Sequence, residues 1–294
     1  MSERNASPEQ VSRWMVGVDG SHNAASALRW AVAAAAEMTG DVVPVCVWHV
    51  PLPIFALAGR RAIDVDRAGI EASTNVAATA SIEMAAEEHG AGFEVGELSS
   101  VEGHPSEVLV DLTGDGDAVV VGRRGIGQIR HRLLGSVSRD LATNARGPVV
   151  IVPDGWEPRP IRSVVVGFDG SDHAKAALAW TLANAPTEAR VEALIAIDLM
   201  PWLQPELVLE RHGDDVAAAE DRIRAAAAEV DPDGRAAQRI VLHSPKQALA
   251  EAMSDADLVV VGPRGMGAIG RSVLGSVTTW LLQDAACPVA VVPS

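Results

Sequence analysis

Glycines at fixed offsets behind a short β-branched run are the residues best placed to do chemistry in this chain, and they occur twice. Residues 118–136 read AVVVGRRGIGQIRHRLLGS, and residues 258–276 read LVVVGPRGMGAIGRSVLGS. The shared spacing, G-x2-G-x9-G-S, selects Gly122, Gly125, Gly135 and Ser136 in the first copy and Gly262, Gly265, Gly275 and Ser276 in the second. Glycine lets a backbone approach an anion closely, turn its N–H groups toward it and adopt positive φ. A helix beginning near Ser136 or Ser276 adds unpaired amides and the positive end of its dipole. The chemistry this predicts is retention of phosphate. A second repeated stretch, MVGVDGS at 15–21 and VVGFDGS at 165–171, puts Asp19 and Asp169 at strand ends, where an aspartate is also a common helix cap.

The elements that must position these residues follow from the duplication, which precedes any fold assignment. The aspartate motifs are offset by 150, as are Trp30 and Trp180, whereas the glycine motifs, Pro105 with Pro245 and Pro148 with Pro288 are offset by 140. The second copy is therefore ten residues shorter between its first helix and Pro245. Each copy predicts a strand (14–19; 163–169), a helix opened by Ser21 or by Ser171 and Asp172, and a second strand (42–50; 191–197). A variable loop, a long Ala/Glu-rich helix (66–89; 206–230), a third strand and a proline-started helix (105–113; 245–253) follow. A fourth strand (118–122; 258–262), the glycine loop, a helix and a last strand (149–152; 289–292) close the unit. Near-continuous Val/Ile strands between amphipathic helices indicate a parallel sheet covered on both faces. The fold class is α/β, two doubly wound domains, placed at 1–153 and 161–294, with PDGWEPRPIR (153–162) as linker.

Bulk properties exclude several classes. At 294 residues with 48% hydrophobic content, the chain holds two full cores. Its apolar runs fall short of the roughly 20 residues of a membrane span, and MSERNASPEQVSRW has no export signal, so a cytoplasmic location is expected. A net charge of −15 disfavours nucleic acid as partner. Cys46 and Cys287 occupy non-equivalent positions and read as small buried residues, not a disulfide. A dinucleotide fingerprint would follow the first strand, but here the glycines follow the fourth. The P-loop pattern G-x4-G-K-[ST] is missing from both copies, as are HExxH and Cys/His ligand clusters, so neither fast NTP hydrolysis nor a metalloenzyme is supported.

The strand-end aspartates and the twin G-x2-G-x9-G-S together resemble the universal stress protein family in its tandem form, over nearly the whole chain. The resemblance implies a five-stranded parallel sheet of order 3-2-1-4-5 in each copy. Strands one and four then flank the switch point where open α/β sheets bind ligands, which sets Asp19 beside Gly122 and Asp169 beside Gly262. It implies ATP, with Mg²⁺, at two sites per chain. The glycines and serines named above would hold ribose and phosphates. Asp19 and Asp169 would lie near ribose, base or a phosphate-bound Mg²⁺. Val50 and Ile197 would lie against adenine, and Arg124 and Arg264 would neutralise phosphate charge. Arg130, His131 and Arg132, or Arg271 in the second copy, read either as further phosphate cations or as a solvated helix start.

Departures from the family pattern carry expectations of their own. Arg123 is read as reaching a phosphate or pointing to solvent, and Pro263 as costing the second loop one N–H donor. His243 stands where Gly103 does, which would narrow the second pocket. His49 reads as structural, His22 and His173 as exposed, and Trp30 and Trp180 as core. Functionally the resemblance implies an ATP-binding, non-enzymatic regulator of the stress response that contacts a regulatory protein partner. Slow ATP hydrolysis or phosphotransfer, and a scaffold with vestigial pockets, are the alternatives. The last strands, GPVVIVP and CPVAVVP, would be exposed hydrophobic edges unless paired. They are expected to pack the two copies together, leaving room for a homodimer on top.

Overall fold

Strand side chains alternate between two cores, one on each face of a single sheet. The computed structural model describes residues 10–50, 66–113, 116–125, 134–198, 205–266 and 273–294. The first half runs β1 (Arg13–Gly17), α1 (His22–Met38), β2 (Asp41–Trp48), α2 (Arg67–His89), β3 (Ser99–Glu102), α3 (Pro105–Asp111), β4 (Asp117–Gly122), α4 (Ser136–Asn144) and β5 (Val149–Val152). The second half repeats it as β6 (Ser163–Gly167), α5 (Asp172–Asn184), β7 (Arg190–Ala196), α6 (Pro205–Val230), β8 (Ala236–Val241), α7 (Pro245–Ala252), β9 (Leu258–Val261), α8 (Ser276–Asp284) and β10 (Val289–Val291).

Local chemistry explains the boundaries. Ser21 and Ser171 cap α1 and α5, their hydroxyls accepting from the Ala24 and Ala174 amides. Pro105 and Pro245 stand at the first turn of α3 and α7, where a missing N–H costs nothing. Val16, Val120, Val150, Val166, Val260 and Ala290 point into one core with the fully buried Trp30. Their neighbours Met15, Val119, Val149, Val165, Val259 and Val289 point into the other. Trp30 and Trp180 are buried as expected, and Trp30 meets Trp14 edge to face at 5.4 Å.

The strand order is β3-β2-β1-β4-β5-β10-β9-β6-β7-β8. Each half is thus a parallel five-stranded sheet of order 3-2-1-4-5, as the resemblance implied. The halves join where β5 pairs antiparallel with β10, Val289 facing Ile151 and Val291 facing Val149. This covers the two hydrophobic edges with each other. It also reverses strand direction between halves, so their carboxyl ends face opposite borders of the sheet.

The segment 153–162 does more than link. The Trp156 carbonyl accepts from Arg29 Nη2 at 2.9 Å, and the Ile161 amide donates to Glu37 at 3.1 Å. Trp156 and Ile161 are buried, so the Pro-rich stretch is anchored to the core at these two residues while 157–160 stay exposed. Among the described residues no helix is long and apolar enough to cross a membrane.

Candidate functional site

The strand order brings the C-terminal ends of β1 and β4 side by side, and those of β6 and β9 likewise. Beyond each pair lies a cavity of about 460 Å³ in the first half and about 480 Å³ in the second. Asp19, Gly122, Arg124, Gly125, Gly135 and Ser136 line the first. Asp169, Gly262, Arg264, Gly265, Gly275 and Ser276 line the second. Twelve residues singled out by spacing and resemblance are therefore gathered into two equivalent places.

The geometry explains why the glycines are glycines. A Cβ on Gly122 would lie 2.7 Å from the Asn23 carbonyl oxygen, and one on Gly262 would lie 2.5 Å from His173 Cβ, because the first helix of each half crosses there. A Cβ on Gly125 or Gly265 would collide with Oδ2 of Asp19 or Asp169. The aspartates are not helix caps, a role that Ser21 and Ser171 fill. Oδ1 of each accepts the amide of Ser21 or Ser171 at 3.0 Å, and Asp169 Oδ2 accepts the Met266 amide at 2.7 Å. The Asp169 carboxylate thus pins its glycine loop to the end of the first strand, and Asp19 lies against Gly125 in the same way that Asp169 lies against Gly265.

Helices α4 and α8 start on Gly135 and Gly275, which have no side chain to cap them. The first-turn amides at Ser136–Val137 and Ser276–Val277 have no partner within their helices and belong to the cavity wall. Ser138 and Thr278, which the sequence reading passed over, hold these helix starts in place. Ser138 Oγ donates to the Gly122 carbonyl at 2.9 Å, and Thr278 Oγ1 does the same to Gly262 at 2.9 Å. The signal was present, since a hydroxyl residue follows G-S-V in both copies. The cavities are also lined by apolar side chains, Val45, Val47 and Leu109 in the first half and Leu194, Ala196 and Leu249 in the second. Each cavity therefore combines helix-start amides suited to an anion with surface for a flat apolar group.

Several expectations need correction. Val50 and Ile197 do not line the cavities with their side chains. Alternation along β2 and β7 presents Val45, Val47 and His49, or Leu194 and Ala196, while Ile197 packs on the opposite core. His49 is not structural; it is exposed and forms part of the first cavity wall, together with Thr74. His243 is exposed and does not narrow the second cavity. Arg123 is directed away from the first cavity and largely away from solvent: Nη1 donates to the Gln283 carbonyl at 3.0 Å, across the junction between halves. The orphan carbonyls ending a helix are a natural partner for that cation. Pro263 removes no cradle donor either, because the equivalent amide, Arg123 N–H, bonds Val152 of β5. Arg124 lines the first cavity while ion-paired with Asp154.

His22 is exposed as expected, but His173 is half-buried. Its Nε2 lies 3.3 Å from Arg264 Nη2, and Nδ1 lies 3.1 Å from the Ser294 amide. Burial, then the Arg264 charge, holds its pKa below the ordinary imidazole value, against the opposing pull of Asp172 and Asp169. Arg130, His131, Arg132 and Arg271 lie outside the described residues.

Comparison with known proteins agrees with this fold. The profile of the Universal stress protein family matches residues 11–153 and 160–293. Universal stress protein Rv2005c of Mycobacterium tuberculosis is 30% identical over 304 residues, covering 97% of this chain and 98% of its own. Universal stress protein Rv2623 of the same organism is 32% identical over 295 residues, covering 94% and 95%. Among solved structures, a universal stress protein from Archaeoglobus fulgidus superposes with a TM-score of 0.64 at 18% identity, covering 97% of this chain and 99% of that one, which speaks for the fold.

Proposed function

This chain belongs to the universal stress protein family, and from that premise and its paired cavities we propose that it is a regulator that binds ATP in each half. The observation that carries the reading is the convergence, in both halves, of an uncapped helix start, a glycine loop packed against a carboxylate, and apolar side chains. The helix amides suit phosphates. The apolar side chains suit a purine, and cavities of about 460 and 480 Å³ fall in the range of small-molecule sites. Arg124 and Arg264 supply a cation to each cavity wall of an acidic chain.

Magnesium fits as a passenger on the phosphates. Among the described residues no group of three or more His, Cys, Asp or Glu side chains is arranged to hold a metal, and Mg²⁺ commonly retains waters and leans on substrate phosphates. The role is binding rather than turnover. Asp19 and Asp169, the carboxylates among the described residues of the two walls, already accept backbone amides and lie against Gly125 and Gly265. Occupancy would then act by favouring one conformation or one partner contact.

Titration calorimetry with Mg-ATP tests this directly. Two equivalents should bind per chain. Gly125→Val or Gly265→Val should each remove one, because the added side chain drives into Asp19 or Asp169. A wild-type chain that gives no saturable heat would sink the reading.

A further inference from the structure

We propose that Arg123 is a positioning residue that couples the two cavities, tying the glycine loop of the first to the helix whose start forms the second. The inference rests on the nucleotide reading of both cavities and concerns how one answers to the other. Arg123 Nη1 donates to the carbonyls of Gln283 at 3.0 Å and Ala285 at 3.3 Å, at the C-terminal end of α8. Its Nη2 faces Asp154 at 3.3 Å, and Asp154 also pairs with Arg124, a wall residue of the first cavity. At the other end of α8, Ser276, Val277 and Thr278 belong to the wall of the second cavity. A helix of nine residues places these ends about 13 Å apart. Leu281 and Leu282 are buried beneath it, so it moves as one body with the wall it carries.

The coupling has a specific exchange at its centre. An anion in the first cavity gives Arg124 a second counter-charge, in competition with Asp154. A change in the Arg124–Asp154 pair alters the carboxylate that faces Arg123, and through Arg123 the seat of α8. An anion on the amides of Ser276 and Val277 pulls the same helix from its opposite end. Coupling between binding equilibria is reciprocal, so each site reads the other by the same factor.

The duplication supplies an internal comparison. The offset of 140 puts Pro263 in the place of Arg123 and Ser294 in the place of Asp154. Thr143 and Ala145, the α4 counterparts of Gln283 and Ala285, there border a cavity of about 270 Å³ together with Pro263 and Ser294. Proline brings no donor to those carbonyls. The tie through this loop position therefore runs from the first cavity to the second and has no mirror image.

Calorimetry on the full chain with Mg-ATP decides it. The product of the two stepwise constants of the wild type is compared with the product of the single constants of Gly125→Val and Gly265→Val. Coupling predicts that the two products differ by at least about fivefold, and that the same comparison with Arg123→Ala added returns to within about twofold of unity. Equal products in the wild type, or a ratio that survives Arg123→Ala, would overturn the proposal. Should Arg123→Ala fail to fold, hydrogen exchange on Gly265→Val alone decides: ATP filling the first cavity must alter protection of the amides at 281–285, and no change there overturns the proposal. The nucleotide reading fails separately, as an absence of binding in every chain, whereas two independent sites remove only the coupling.

Discussion

Asp19 and Asp169 hold the turn after the first strand of each half, Oδ1 accepting the Ser21 or Ser171 amide, and lie against Gly125 and Gly265. Their place at the cavity follows from the strand order that the resemblance implies, whereas the glycines beside them answer local backbone demands that a spacing records. Arg123, His49 and His173 were misread because their surroundings are made by distant parts of the chain. Arg123 meets carbonyls more than 150 positions away, and no local pattern encodes that. Two consequences belong at this scale. Burial pushes the Cys46 and Cys287 thiols up to about 11, so the thiolate fraction near neutrality is about one part in ten thousand. Both should resist an aromatic disulfide reagent in the native protein and react at the rate of unfolding, as absorbance would follow. His173 has the opposite kind of shift. With its pKa held down in the folded state, the unfolded chain takes up the proton first as pH falls. Its contribution to stability is whole above the unfolded value near 6.5 and is lost progressively below it. Urea midpoints measured at about pH 8 and about pH 5.5 should differ less in His173→Asn than in the wild type.

Helices, strands and loops were read with their order intact and their ends adjusted by a residue or two. Hydrophobic periodicity marks the body of an element well, but its last turn depends on caps and tertiary contacts. The slip at Val50 and Ile197 has the same origin. In a strand buried on both faces, apolar residues run on without alternation and the sequence does not announce which face looks into the cavity. Ser138 and Thr278 show what fixes the helix starts that form the cradles. Ser138→Ala and Thr278→Val should each cost about 1 kcal/mol in urea unfolding, the worth of a buried hydrogen bond, and weaken ATP at the matching cavity. An unchanged affinity in both would mean that the loops hold their shape without these bonds.

For the molecule as a whole, the duplication was the most informative thing in the sequence, since one repeat implied the other's sheet, switch point and cavity. What it did not reveal is the anchoring of residues 153–162, where Trp156 and Ile161 are drawn into the core by partners on α1. With one sheet through both halves and core residues of both packed on each face, the full chain should melt in a single transition whose calorimetric and van't Hoff enthalpies agree. The first half expressed alone should self-associate through β5, as sedimentation at rising concentration would reveal.

Pairing β5 with β10 inside one chain has a consequence for how this protein meets dilution. An edge covered by a second molecule is bared whenever concentration falls below the dissociation constant of the pair. Here the covering strand is covalently attached, so that border of each half stays shielded at any abundance, from a few copies per cell upward. Among the described strands, the sheet leaves unpaired edges at β3, only four residues long, and β8, where Arg239 reaches across to Glu192 on the neighbouring strand. Short length and surface charge are features that discourage a stranger from adding a strand.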